Sequence, residues 1–179
     1  GLAGLTHGLL DTGAGELDEE KIADRLADIG ARLGGSVDQD RASISLRSLS
    51  SAREREAALE LMRLVLQQPM FPAAALEREK ARSIAGIREA DTRPGSIAAK
   101  RFAAALYPGH PYGRLPTVES VEKITRDDLL AFYRAHYGAR RAVVSIIGDL
   151  GRAEAEAIAP AHGATHDATQ HVTAPLVRR

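Results

Sequence analysis

Side chains that could ligate a metal or carry a proton near neutral pH are few, with six histidines and no cysteine in the chain. Without cysteine there can be no disulfide, thiolate metal site or thiol nucleophile, although this fixes no redox compartment. His7 is the sole histidine of the first hundred residues. One imidazole makes no metal site without partners, so it reads as a surface or lining residue of an amphipathic helix. His110 lies in Gly109-His110-Pro111-Tyr112-Gly113, a loop pinned by proline and aromatic packing. His136, beside Tyr137, ends a helical stretch, where the helix dipole favours a cation. His162, His166 and His171 have a superficially metal-like spacing, since i,i+4 places two histidines on one helix face. Pro160, Gly163 and the surrounding threonines oppose a stable helix there. The run Glu77 to Arg82 reads as a solvated helix face with its own ion pairs. No phosphate-cradling Gly loop, serine nucleophile elbow or nucleic-acid-type basic stripe is present. Residue chemistry taken alone yields no catalytic group and no metal site.

The elements that would position these groups follow from periodicity. Residues 1–10 read as a short apolar helix with Gly4 and Gly8 on one face, each disfavoured by about 1 kcal/mol relative to Ala. Ile22, Leu26, Ile29 and Leu33 give one helical face over 18–33, ended by Gly34-Gly35. Residues 35–49 alternate apolar and polar, which predicts a hairpin turning at 38–41. Ser50 or Ser51 opens a helix to about Gln68, with Glu54 placed for a capping box. Helices are expected over 73–91, 96–106, 118–124 and 126–137, the last capped by Thr125. Residues 142–147 (AVVSII) form a strand-type run, and 151–158 one more helix. Beyond that the sequence loses periodicity, so the expected organisation is a domain over 1–158 and a linker or tail over 159–179. The class is α+β, mostly helices packed on an antiparallel sheet. A hairpin and one strand make too little sheet to stand alone, so the missing strands are expected to precede Gly1 or to lie elsewhere in a longer parent chain.

Composition excludes more than it assigns. Lys+Arg and Asp+Glu both number 24, and a neutral chain has no bulk attraction for nucleic acid or an anionic membrane. No apolar run approaches the roughly 20 residues that span a bilayer.

One series of segments is more specific. Gly1-Leu2-Ala3 opens a helix, Leu26-Ala27-Asp28-Ile29-Gly30-Ala31 precedes a hairpin, and a long Glu/Arg helix ends near Pro94. Tyr107-Pro108-Gly109-His110-Pro111-Tyr112-Gly113 follows, then Ile124-Thr125-Arg126-Asp127-Asp128-Leu129, Phe132-Tyr133, His136-Tyr137 and Ile146-Ile147-Gly148-Asp149. Over residues 1–158 this series resembles the first half of a pitrilysin/insulinase-type metallopeptidase domain, the family that includes the mitochondrial processing peptidase. The His-Pro-Tyr-Gly loop and the terminal Gly-Asp strand carry it best.

The resemblance implies a site and its loss. Active members carry H-x-x-E-H on the first helix, two His binding zinc and the Glu acting as general base on the metal-bound water. Laid on this chain, the motif puts Gly4 at the first His, His7 at the Glu and Gly8 at the second His. The further Glu ligand of the long helix falls at Gly86, and Glu79 matches a supporting acidic position. Glycine offers no donor, so no metal, no cofactor and no catalytic residue is expected. The implied role is an inactive partner subunit: it would form half of a peptide-binding chamber with a homologous active zinc peptidase, or with the second half of its parent chain. Gly34, Gly35, Ser36 and Val37 correspond to the substrate-side edge strand. A periplasmic location follows by family analogy. A structural or assembly subunit of a larger complex, a zinc endopeptidase with a divergent site, and a folded fragment without function stay open as alternatives.

Overall fold

A computed structural model describes residues 1–138 and 142–163. The elements run α1 (Leu2–Gly8), β1 (Gly13–Ala14), β2 (Leu17–Asp18), α2 (Glu19–Asp28), β3 (Arg32–Val37), β4 (Ala42–Arg47) and α3 (Ala52–Gln67). Then come α4 (Ala73–Ala90), α5 (Pro94–Leu106), a 3-10 turn at Pro111–Gly113, α6 (Val118–Glu122), α7 (Arg126–His136) and α8 (Arg152–Gly163). The class is α+β, with helices dominating two small sheets, β1-β2 and β3-β4.

The chain divides into two compact units. One gathers residues 1–9, 36–43 and 71–133, the other 10–35, 44–70 and the described residues from 134 onward. In the first, α4 is the central helix and contacts both α1 and α6. Its interior is formed by Leu5, Leu9, Phe71, Leu76, Val121 and Leu129, all buried. Thr6 is buried too, its hydroxyl donating to the Leu2 carbonyl at 2.9 Å, which satisfies a polar group that would otherwise be costly. Thr117 and Ser120 cap α6 reciprocally, Ser120 N donating to Thr117 Oγ1 at 3.1 Å and Thr117 N to Ser120 Oγ at 2.8 Å.

In the second unit α2 and α3 contact the antiparallel pair β1-β2, in which Gly13 faces Asp18 and Ala14 faces Leu17. Ile22, Ala58, Leu61 and Val65 are buried. Asp18 caps α2, accepting from Lys21 N at 2.9 Å. An ion pair between Arg55 and Glu154 joins α3 to α8.

Several expectations need correction. Helix α2 stops at Asp28 rather than Leu33, because Gly30 takes φ +61. Ala31 N donates to Leu26 O at 2.8 Å and Gly30 N to Ala27 O at 3.0 Å, the two bonds of a Schellman ending. Gly34-Gly35 therefore ends no helix and lies inside β3. At the start of α3 the Ser51 hydroxyl donates to Glu54 and makes no cap bond to the backbone, so the expected capping box is half replaced by a side-chain pair. Residues 142–147 form no named strand among the described residues, only a single bridge at Val144. Helix α8 spans Arg152–Gly163, longer than the helix expected over 151–158.

Candidate functional site

Gly4, His7 and Gly8 all lie on α1, Gly4 and Gly8 exposed and His7 half-buried. Gly86 is exposed within α4, the helix that α1 contacts. A Cβ built at Gly4, Gly8 or Gly86 would meet nothing within 4 Å, and none of the three has a positive φ. Neither crowding nor backbone conformation requires glycine at these positions. A Cβ would therefore fit at each of the three, and glycine itself supplies no metal donor. These four residues do not fit a zinc ion, which needs several His, Cys or carboxylate ligands. Among the described residues no group of three or more such side chains converges.

Glu79, half-buried on α4, lies 3.2 Å from Arg82 Nη1 and 3.6 Å from Arg78 Nε. Glu77 is 3.3 Å from Lys80. The run 77–82 is thus a helix face bearing ion pairs. His136 sits in the last turn of α7 with Arg134, the place where the dipole favours positive charge. His162 falls within α8; His166 and His171 lie outside the described residues.

Of the candidate peptide-binding residues, Gly34, Gly35 and Ser36 are exposed on β3 and Val37 is half-buried. The Ser36 and Ser43 hydroxyls are 2.8 Å apart across the hairpin. A Cβ at Gly34 would meet Ser45 Oγ at 3.8 Å, so β3 presents an open, low-relief backbone.

One cluster was not visible in the sequence. The rings of Tyr107, His110 and Tyr112 group together, with His110 4.7 Å from Tyr112 at 90° and Tyr107 5.5 Å from Tyr112 at 75°. The Tyr112 hydroxyl donates to the Asp40 carboxylate at the hairpin tip, and this bond raises the phenol pKa above its ordinary value. The Gly-His-Pro-Tyr-Gly spelling indicated a pinned loop, but no local signal named Asp40, 72 residues distant, as its partner.

The crystal structure of a peptidase M16 inactive domain from Pseudomonas fluorescens matches 89% of this chain at 38% identity with a TM-score of 0.86. A family model described as the peptidase M16 inactive domain matches residues 123–173. Over most of its length the chain is similar to members of the M16, pitrilysin-type peptidase family. Curated M16-type relatives include the probable mitochondrial-processing peptidase subunit beta of Schizosaccharomyces pombe, 29% identical over 99 residues, 54% of this chain. A protease from Helicobacter pylori shares the fold over 98% of this chain, at 18% identity and a TM-score of 0.78. The chain spans 39% of the P. fluorescens structure, 43% of the H. pylori structure and 22% of the yeast relative.

Proposed function

We propose that this M16-like chain is a non-catalytic partner that forms half of a peptide-binding chamber with a homologous zinc-bearing peptidase subunit or with another half of its parent chain. The observation that carries the reading is glycine at Gly4, Gly8 and Gly86, with no packing or backbone reason for it. Replacement of one ligand could signal altered chemistry. Replacement of three, with His7 in the place of the general base, removes the means of activating water.

The chain's contribution would be to hold substrate. A peptide aligned against β3 at Gly34, Gly35, Ser36 and Val37 would gain main-chain hydrogen bonds and lose less freedom at the reacting step. Glycine and serine on that strand let another backbone approach closely.

Zinc analysis of the purified chain, alone and in a complex that cleaves peptides, tests the reading. The expected result is no zinc in the isolated chain and about one equivalent per complex, following the single metal of one catalytic site. Stoichiometric, chelator-sensitive zinc in the isolated chain would sink it.

A further inference from the structure

We propose that Tyr112 is a positioning residue: the rigid Tyr107–Gly113 loop uses its phenol to hold the tip of the β3–β4 hairpin through Asp40. The consequence for peptide binding rests on the chamber reading above; the latch itself rests on contacts inside one unit.

Both ends of the contact are built before it forms. On the loop side, Gly109 takes φ +76, a conformation that suits glycine. His110 N donates to Tyr107 O at 3.2 Å, and Gly113 N donates to His110 O at 3.1 Å. His110 Nδ1 accepts from Tyr112 N at 3.2 Å, with Pro111 as the first residue of the turn. A Cβ at Gly113 would lie 2.5 Å from the Tyr107 carbonyl oxygen, so the loop closes only around glycine. The Tyr107 and His110 rings flank Tyr112 and restrict its side chain.

On the hairpin side, Asp38 Oδ1 accepts from the backbone N–H groups of Asp40 and Arg41, both at 2.9 Å. Asp38 N donates to Arg41 O at 3.0 Å, and Arg41 Nε donates to Asp38 Oδ2 at 3.2 Å. Asp38 thus fixes the turn and leaves the Asp40 carboxylate for Tyr112. A hydrogen bond from a phenol to an ionised carboxylate is stronger than a neutral one, and two pre-set partners lose little freedom on meeting. A two-stranded hairpin is marginal alone, so a single tertiary contact at its tip has leverage over it.

Amide hydrogen exchange of the whole chain, read by mass spectrometry for wild type, Tyr112→Phe, Asp40→Ala and the double variant, tests this. Loss of the hydroxyl alone should speed exchange over residues 36–43 by roughly threefold to tenfold, with α6 and α7 unchanged. The double variant should be no faster than the singles. Unchanged exchange at 36–43, acceleration spread evenly over the chain, or additive effects in the double variant would each overturn the latch. A second readout separates it from the chamber reading: binding of a dye-labelled extended peptide to the complex with the active subunit. Faster hairpin exchange with weakened peptide binding supports both ideas. Faster exchange with unchanged binding keeps the latch and removes the peptide from this strand.

Discussion

Arg126 donates from Nε to the backbone carbonyl of Phe71 at 3.0 Å, and among the described residues Phe71 is the one non-glycine with positive φ, at +48. A bulky side chain in that region carries strain on the order of 1–2 kcal/mol. It is offset by complete burial of the ring and its edge-on packing at 6.0 Å from Tyr133. Arg126→Met should remove the donor and lower unfolding free energy by about 1–2 kcal/mol. Phe71→Ala should cost about 3–5 kcal/mol. Urea denaturation measures both, and an unchanged midpoint for Arg126→Met would show that water replaces the guanidinium.

Glycine to alanine should act with opposite signs in the same protein. Gly4→Ala and Gly86→Ala, both helical with open space around the added methyl, should each stabilise by about 0.5–1 kcal/mol. Gly30→Ala should cost about 1–2 kcal/mol, through its left-handed backbone alone. Leu49, the nearest neighbour at 3.6 Å, offers only ordinary contact. Thermal melts of the three variants give the signs directly. Destabilisation by Gly4→Ala would mean that a close approach, and not a lost ligand, explains the residue.

The start of α7 predicts a pH dependence. Asp128 Oδ2 accepts from the Thr125 hydroxyl at 2.6 Å and from its backbone N–H at 2.8 Å, which holds the carboxyl below its ordinary range. A lowered folded pKa means a contribution fully present above the ordinary Asp value of about 3.9 and lost as pH falls through the folded value. The stability gap between wild type and Asp128→Asn should therefore be constant near neutrality and shrink in acid. A gap that widens as pH falls would contradict the assignment. Thr125→Ala should cost about 1 kcal/mol by loss of the cap.

Lys80 links α4 to the turn before α7, its ammonium donating to the Ile124 carbonyl at 3.1 Å with the side chain only 13% exposed. Its other partner, Glu77, is 70% exposed and screened by water. Lys80→Met should cost about 1–2 kcal/mol, whereas Glu77→Gln should change stability by less than about 0.5 kcal/mol. Equal losses in the two variants would mean that the ion pair, not the carbonyl bond, holds the helix.

How far the sequence spoke depended on whether a feature was local. The helices over 73–90, 94–106 and 126–136 and the hairpin turn at 38–41 are written in periodicity, proline and capping residues within a few positions of each other. The end of α2 was misplaced because Gly30 and Gly34-Gly35 are equally plausible stops as letters; the left-handed backbone at Gly30 and the two hydrogen bonds that close the helix there are seen only in the folded chain. The pairs Gly13–Asp18 and Ala14–Leu17 were too short to show any alternation. At the candidate site, the glycines at Gly4, Gly8 and Gly86 could be placed by resemblance, and the open space around them is what the structure adds. Asp40 reads as a turn residue from its neighbours. Its bond to Tyr112 arises only when chain segments far apart in sequence are folded together.

The run from Ala142 to Ile147 has a consequence for anyone handling the protein. Val143 and Ile147 are 79% and 80% exposed in a six-residue segment with no charge, no proline and no glycine. Such a segment is a ready template for intermolecular cross-β stacking. Purified alone, the chain is expected to aggregate more as its concentration rises, and Val143→Lys is expected to reduce this, as light scattering would read.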